Sequence, residues 1–512
     1  MRAKSVVLTI ILSCLTFLSS DAAQRLTILH TNDVHGHLRP FSYPEIASTW
    51  VRASRMEDLP ARRDIGGIAR RAALAARIRA DLSKQGTPVW LVDAGDIFYY
   101  SAFSNEYHGE ADVMAMNRAG YDFATLGNHE FNNTLPRLKK MIAAARFDFL
   151  CANVADSVTR RPLTKPYAIR QVGDTRIGIF GLVTNSAAGY PAAKEGVVVE
   201  DVFSVAPDVI AKLRGPEKAD IVILISHCGE YVDRRLAHEV PGIDVIVGGH
   251  SHSRFPQGEM VWWSDELKPD EVNGTIIVQA FQYAGELGRL DLLIDKNSAG
   301  QRRVSRYQEH LIPVTSETPD DPAVAAVLDS LWAPYAAKYD EVIATATADF
   351  AVRGDDFTQN NLVADAVRAE FGVDVAFENL GGMHIPIVAG PVTRAMLVDL
   401  DQSASTIVTF RMRGKEVRRF VQQFRPAVSG LSYRMFCGKL GAITVADASL
   451  DDGRVYSCAA NSSLASRLDG FEMLEKMDTK RLWSSVVIDA ARKAGTITPA
   501  YDGRRVVIDT LR

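Results

Sequence analysis

Short apolar runs recur along the first half of the chain, with helical-period segments between them. Residues 25–30, 88–92, 123–126, 147–151, 176–183, 221–225, 244–247, 275–279 and 289–294 read as strands. Residues 66–82, 111–118, 135–145 and 202–213 carry apolar side chains at helical spacing. The alternation holds to about residue 250 and predicts α/β layering. Residues 39–64 are polar and irregular, hold Pro40, Pro44 and Pro60, and read as a long loop. The pattern changes at 313–345, where Pro319 and Pro322 precede a helix predicted over 323–338. Pro334 lies inside that helix and is expected to kink or break it. A second region follows from about 346 and opens with a helix over 361–370. No internal repeat or low-complexity tract is present.

Composition narrows the picture. The 512 residues exceed one ordinary domain of ~100–200 residues, and 47% hydrophobic content supplies real cores. A net charge of −4 leaves no polybasic character, so no nucleic-acid polymer is expected as a partner. Residues 1–23 have the form of a secretory signal: Arg2 and Lys4, an apolar stretch over 6–18, then Ser20, Ala22 and Ala23. That stretch is short against the ~20 residues of a membrane span. The mature chain is therefore expected to be exported, periplasmic or extracellular, soluble and without stable membrane insertion. No apolar tail follows Asp509, so no glycolipid anchor is expected. Removing the signal leaves Cys151, Cys228, Cys437 and Cys458, and an oxidising compartment makes Cys437 with Cys458 the expected pair. Nothing in the sequence sets an oligomeric state.

The chemistry is written where the strands should end. HTNDVHG occupies 30–36, DAGD 93–96, GNHEF 127–131, SHC 226–228 and GGHSH 248–252. Asp33 and His35 are two apart, so an extended backbone points them to one side. Carboxylate, amide and imidazole groups at strand tips suit two divalent cations held side by side. Cys228 adjoins His227 and reads as packing, with His227 the ligand.

These segments in this order resemble the calcineurin-like metallophosphoesterases. In the forms HTNDVHG and GNHEF they resemble the secreted 5'-nucleotidase family. The resemblance implies a four-layered α/β/β/α metallophosphoesterase domain followed by a smaller α+β C-terminal domain. The boundaries it suggests are a signal over 1–23, a catalytic domain over 24–315, a linker helix over 316–345 and a substrate domain over 346–512. Carried over residue by residue, Asp33, His35, Asp96 and His252 would hold one metal. Asp96, Asn128, His227 and His250 would hold the other, with Asp96 bridging. An N/O ligand set accommodates Zn, Mn, Co or Fe. His129 matches the catalytic histidine, while His37 matches no assigned role. The family motif ends NHEFD, and this chain has Asn132 in the last position. Asn132 can accept a hydrogen bond from the imidazole but brings no negative charge.

The resemblance also names a recognition set. Asn379, Gly381 and Gly382 match an N-x-GG-I-R segment in which His384 replaces the arginine. Asp469 and Phe471 match a late DG-aromatic motif. Ser403 and Ser463 fall where two base-stacking rings are expected, with Phe410, Tyr433 and Phe436 as possible replacements. Arg353 is a candidate phosphate contact. A lost stacking ring forfeits ~1–3 kcal/mol per base. The implied activity is hydrolysis of nucleotides or related phosphomonoesters to inorganic phosphate, with relaxed base discrimination. The family also holds UDP-sugar hydrolases, cyclic-nucleotide phosphodiesterases and thiosulfohydrolases, and a non-catalytic metal-binding member is a further alternative.

Overall fold

The computed structural model describes residues 23–43, 59, 63–99, 101–264, 271–351, 357–380, 383, 385–401 and 404–508. Most of the predicted signal, most of the 39–64 loop, Arg353, Gly381, Gly382, His384 and Ser403 lie outside these residues.

Strand Gln24–Thr31 forms the middle of a six-stranded sheet. It runs parallel to Val89–Asp93 and antiparallel to Glu286–Lys296. Phe123–Ala124 and Asp148–Phe149 continue the parallel side, and Arg302–Pro313 forms the other edge. A second six-stranded sheet has Ile221–His227 at its centre, flanked by Thr175–Val183 and Val245–Gly248.

The strand Ile221–His227 is apolar at nearly every position because both its faces are covered. Ile221, Ile223 and Ile225 point into a core shared with Leu26, Ile28, Val92 and Phe123 of the first sheet. Val222 and Leu224 point the other way, against Ile210 and Leu213 of helix Val202–Arg214 and Leu236 of helix Glu230–Glu239. Helices Ile68–Ser83, Glu110–Ala119 and Leu135–Ala144 cover the outer face of the first sheet. The layers are thus helix, sheet, sheet, helix. Each fully buried Leu or Ile adds ~1.5–3 kcal/mol to their cohesion.

The helix expected to kink or break at Pro334 is not broken and runs over Pro322–Tyr339. Asp321 caps it, accepting from the backbone N–H of Ala323 and Val324 at 2.9 Å each. Val324, Leu328, Trp332 and Tyr339 bury against the first core and hold the helix through the missing donor.

The C-terminal region packs a five-stranded sheet with helices and carries smaller sheets beside it. In the large sheet Val455–Asn461 lies between Val375–Glu378 and Thr406–Arg413. Its cluster includes Phe377, Phe410, Phe420 and Tyr433. The predicted Cys437–Cys458 pair does not form. Cys458 is buried mid-strand, Cys437 sits exposed on the turn of a hairpin in another sheet, and both are free thiols. Cys458 packs inside the apolar cluster with Phe410 and Phe420, while Cys437 lies on the surface.

The two regions meet where Asp399 accepts from the Ala102 N–H at 2.6 Å. A cavity of about 360 Å³ lies along this seam, lined by Arg39, Phe103, Trp332, Met396 and Asp399 among others. Among the described residues, no helix is long and apolar enough to cross a membrane.

Candidate metal centre

The side chains expected as ligands converge from the strand ends of both sheets. The loops carrying them are joined by backbone hydrogen bonds: Asp33 N–H donates to Gly95 O at 3.0 Å, and His35 N–H to Asp96 O at 2.9 Å. Asp33, His35, Asp96, His250 and His252 all hold left-handed backbone, with φ of 50°, 50°, 53°, 73° and 53°. Non-glycine residues there are strained, and such strain concentrates at functional sites. Glycines admit the close approach. A Cβ on Gly127 would lie 2.2 Å from Asp96 Oδ1, and one on Gly249 would lie 2.8 Å from Ala94 O.

Asp33, His35 and His252 form one group whose ligand atoms lie within 4.8 Å of one another. Asp96, His227 and His250 form a second on the same measure. Asp96 Oδ2 lies 3.0 Å from His227 Nε2 and 3.9 Å from His35 Nε2, so one carboxylate oxygen stands between the groups. Asn128 Oδ1 is buried and receives no hydrogen bond. An amide oxygen left so in a dry site, beside carboxylates and imidazoles, fits a cation rather than a packed core.

The charges agree. Burial pushes the His35 imidazole well below its usual value. Burial, reinforced by His227, lowers His250 to about 4. Both are neutral and able to ligate. Burial opposes charge on His227 as well, but the Asp96 carboxylate outweighs it and holds the imidazole up at about 10. Burial likewise opposes the Asp96 charge, and His227 with His129 overcomes it, keeping that carboxyl well below the usual range. Neighbours orient the set. His227 Nδ1 donates to Ala94 O at 2.7 Å, which turns Nε2 into the site. Asn32 Nδ2 donates to Asp33 Oδ2 at 2.7 Å.

His129 stands beside the groups, with Nε2 4.0 Å from Asp96 Oδ2. Its Nδ1 lies 2.7 Å from Asn132 Oδ1. Since Asn132 accepts, Nδ1 carries the proton and Nε2 faces the cleft. Tyr99 stacks on the ring at 5.4 Å and 14°, and Tyr190 meets it edge-on at 5.6 Å and 77°. His37 is buried and stacked at 4.1 Å on Tyr283, the ring that meets His35 and His252 edge-on. Cys228 is buried in the outer helix layer, as packing.

The recognition set is more scattered. Asn379 is held in place: its Oδ1 accepts from Asn461 Nδ2 at 2.6 Å, and its backbone oxygen from Asn360 Nδ2 at 2.8 Å. Asp469 is exposed. The half-buried Phe471 ring lies under the Arg419 guanidinium at 4.0 Å and meets Phe420 edge-on. Phe410 and Tyr433, offered as replacement stacking rings, are core residues, and only Phe436 of those three is exposed. Ser463 is half-buried at the start of a short helix.

Sequence reasoning gave no role to Glu130. Its carboxylate accepts from the backbone N–H of Gly127, Asp96, Ile97 and Phe98 at 2.5, 3.0, 2.9 and 3.3 Å. It therefore clips the loop of the shared carboxylate to the loop of Asn128 and His129. Its place inside GNHEF was the available signal. Tyr99 follows the DAGD motif by three residues and Tyr190 lies between two short helical turns, and no residue pattern marks either as a neighbour of His129.

Residues 26–254 match the calcineurin-like phosphoesterase family, and residues 342–476 match the 5'-nucleotidase C-terminal domain. A 5'-nucleotidase of Vibrio cholerae is 31% identical over 482 residues, covering 84% of this chain and 80% of that protein. The protein UshA of Yersinia enterocolitica is 29% identical, covering 78% and 76%. Among solved structures, a 5'-nucleotidase precursor from Thermus thermophilus superposes with a TM-score of 0.77 at 26% identity, covering 95% of this chain and all of that one. A sulfate thiohydrolase, SoxB, from the same genus gives 0.76 at 22% identity, covering 94% and 96%, a likeness of fold alone. The chain belongs to the 5'-nucleotidase family, as a metal-dependent phosphoester hydrolase.

Proposed function

We propose that the chain is a dimetal phosphomonoesterase with weak discrimination among bases, using the ligands assigned above. One metal position comprises Asp33, His35, Asp96 and His252, and the other Asp96, Asn128, His227 and His250. The observation that carries this reading is the placement of Asp96 Oδ2 between the two groups. Two divalent cations there would polarise a phosphoryl oxygen and supply a water at neutral pH. The identity of the metals, among Zn, Mn, Co and Fe, is left to measurement. His129 then presents Nε2 to the leaving oxygen and stabilises the charge that develops there. Asn132 holds its ring, and Tyr99 and Tyr190 limit its rotation.

Relaxed base specificity rests on the C-terminal region. Phe410 and Tyr433 are unavailable for stacking, Ser463 stands where a ring is expected, and Phe471 is already engaged by Arg419. Asn379 remains as the anchored polar contact. The catalytic domain is read as 24–315, the linker helix as 316–345 and the substrate domain as 346–512. The N-terminal pattern supports export, with cleavage near Ala23.

A metal-supplemented screen tests the reading, with nucleotides, cyclic nucleotides, nucleotide sugars and simple phosphomonoesters, with and without chelator. Phosphate release from nucleotides and simple monoesters alike, abolished by chelator, is the expected result. Sulfate release from a thiosulfonate, with no phosphate released, would replace this reading with the sulfur one.

A further inference from the structure

We propose that Tyr190 is a positioning residue for the metal centre. Its hydroxyl accepts a hydrogen bond from Asn128 Nδ2 and so aims the amide oxygen of Asn128 at the metal. The inference rests on the reading of Asn128 as a ligand.

An asparagine has two nearly isosteric faces, and only its oxygen can ligate a cation, since the NH₂ group has donors and no lone pair to offer. A wrong rotation therefore turns a ligand into a repulsive group. Asn128 Nδ2 lies 3.0 Å from the Tyr190 hydroxyl, while Oδ1 is buried and receives no donor. A phenol can donate as well as accept, so the hydroxyl alone does not choose the face. The cation and the hydroxyl choose it together: with Oδ1 on a cation, Nδ2 is the atom left facing Tyr190. The hydroxyl gives that N–H a fixed acceptor.

Tyr190 is itself fixed. It lies between the 3₁₀ turn Asn185–Gly189 and the short helix Pro191–Lys194. Its N–H donates to Ala187 O at 3.1 Å, and its carbonyl accepts from Lys194 N–H at 3.1 Å. Its ring rests edge-on against His129, so removing only the oxygen leaves that packing in place.

The test is metal affinity, measured on metal-free protein by zinc and, separately, manganese titration against a competing chelator. Tyr190→Phe is expected to weaken one of the two sites ~10–100-fold, the scale for partners behind the ligand shell. The melting temperature of the metal-free protein should not change. Asn128→Ala should weaken the same site. Asn128→Asp supplies two equivalent oxygens and has no wrong face, so adding Tyr190→Phe to it should change affinity little. If Tyr190→Phe binds like the parent while Asn128→Ala binds weakly, the inference fails and the ligand reading stands. If Asn128→Ala binds like the parent, the ligand reading itself fails. Equal weakening by Tyr190→Phe with and without Asn128→Asp would also overturn the proposal, because the hydroxyl would then act by another route.

Discussion

At the metal pole each expected ligand sits within a few residues of a strand end, and neighbours fix several of them, as Ala94 O fixes His227 and Asp33 accepts from the His250 N–H. At the recognition pole the anchoring of the described residues is uneven. Asn379 is held by Asn461, Asp469 lies in the open, and Phe471 is packed into its own domain. The difference is one of what each task demands. Two cations need several donors at fixed separations, so the backbone itself must be specified. A substrate with one phosphate can be held by the metals, and the rest of the grip can vary between relatives.

The strongest way to break this contrast is Asp96→Ala. Its carboxylate stands between both groups, so turnover should fall by ~10⁴-fold or more as several kcal/mol of charge stabilisation are lost. Metal analysis should show both cations depleted, and a variant that retained two metals and full activity would refute the ligand assignment. His129→Ala tests the same pole without touching a ligand. A loss of ~10²–10⁴-fold in kcat is expected with metal content unchanged. Metal loss in that variant would mean that His129 ligates.

The recognition pole is tested by comparing kcat/KM for AMP and for a small non-nucleotide phosphomonoester. The ratio should stay under about 100-fold, roughly 2.7 kcal/mol of transition-state binding. A larger preference would show that a base clamp exists after all.

The smallest expected effect is on stability. Glu378 accepts from Asn461 Nδ2 at 2.6 Å and Trp483 Nε1 at 3.0 Å, and burial pushes its carboxyl up to about 8. A carboxyl raised on folding stabilises fully below its unfolded value near 4.3 and loses that contribution as pH climbs through about 8. Thermal melts of the parent should therefore fall between pH 5 and about 9 more steeply than those of Glu378→Gln, by roughly 2–4 °C per kcal/mol. Parallel curves would show that Glu378 is ionised in the fold.

The same contrast governs what the sequence disclosed. The layered core was legible because Ile221, Ile223 and Ile225 alternate with Val222 and Leu224 in a strand covered on both sides. The metal residues were legible because each motif is local. Features set by tertiary contact were not. Pro334 reads as a breaker, yet Trp332 and Tyr339 pull its helix into the core. Cys437 and Cys458 are close in sequence but belong to different sheets. Tyr190 reaches Asn128 across 62 positions through a side chain whose hydrogen bond no periodicity encodes.

The left-handed backbone at Asp33, His35, Asp96, His250 and His252 sets a trap for protein engineers. Glycine adopts that conformation freely, so glycine there would relieve strain in the metal-free chain. A library ranked only by heat resistance without metal would be drawn toward glycine at His35, His250 and His252, while Asp33 and Asp96 still accept from the His250 and His129 N–H. The winners would be sturdier proteins with fewer groups left to bind a cation, since durability and catalysis make opposite demands on the same few torsion angles.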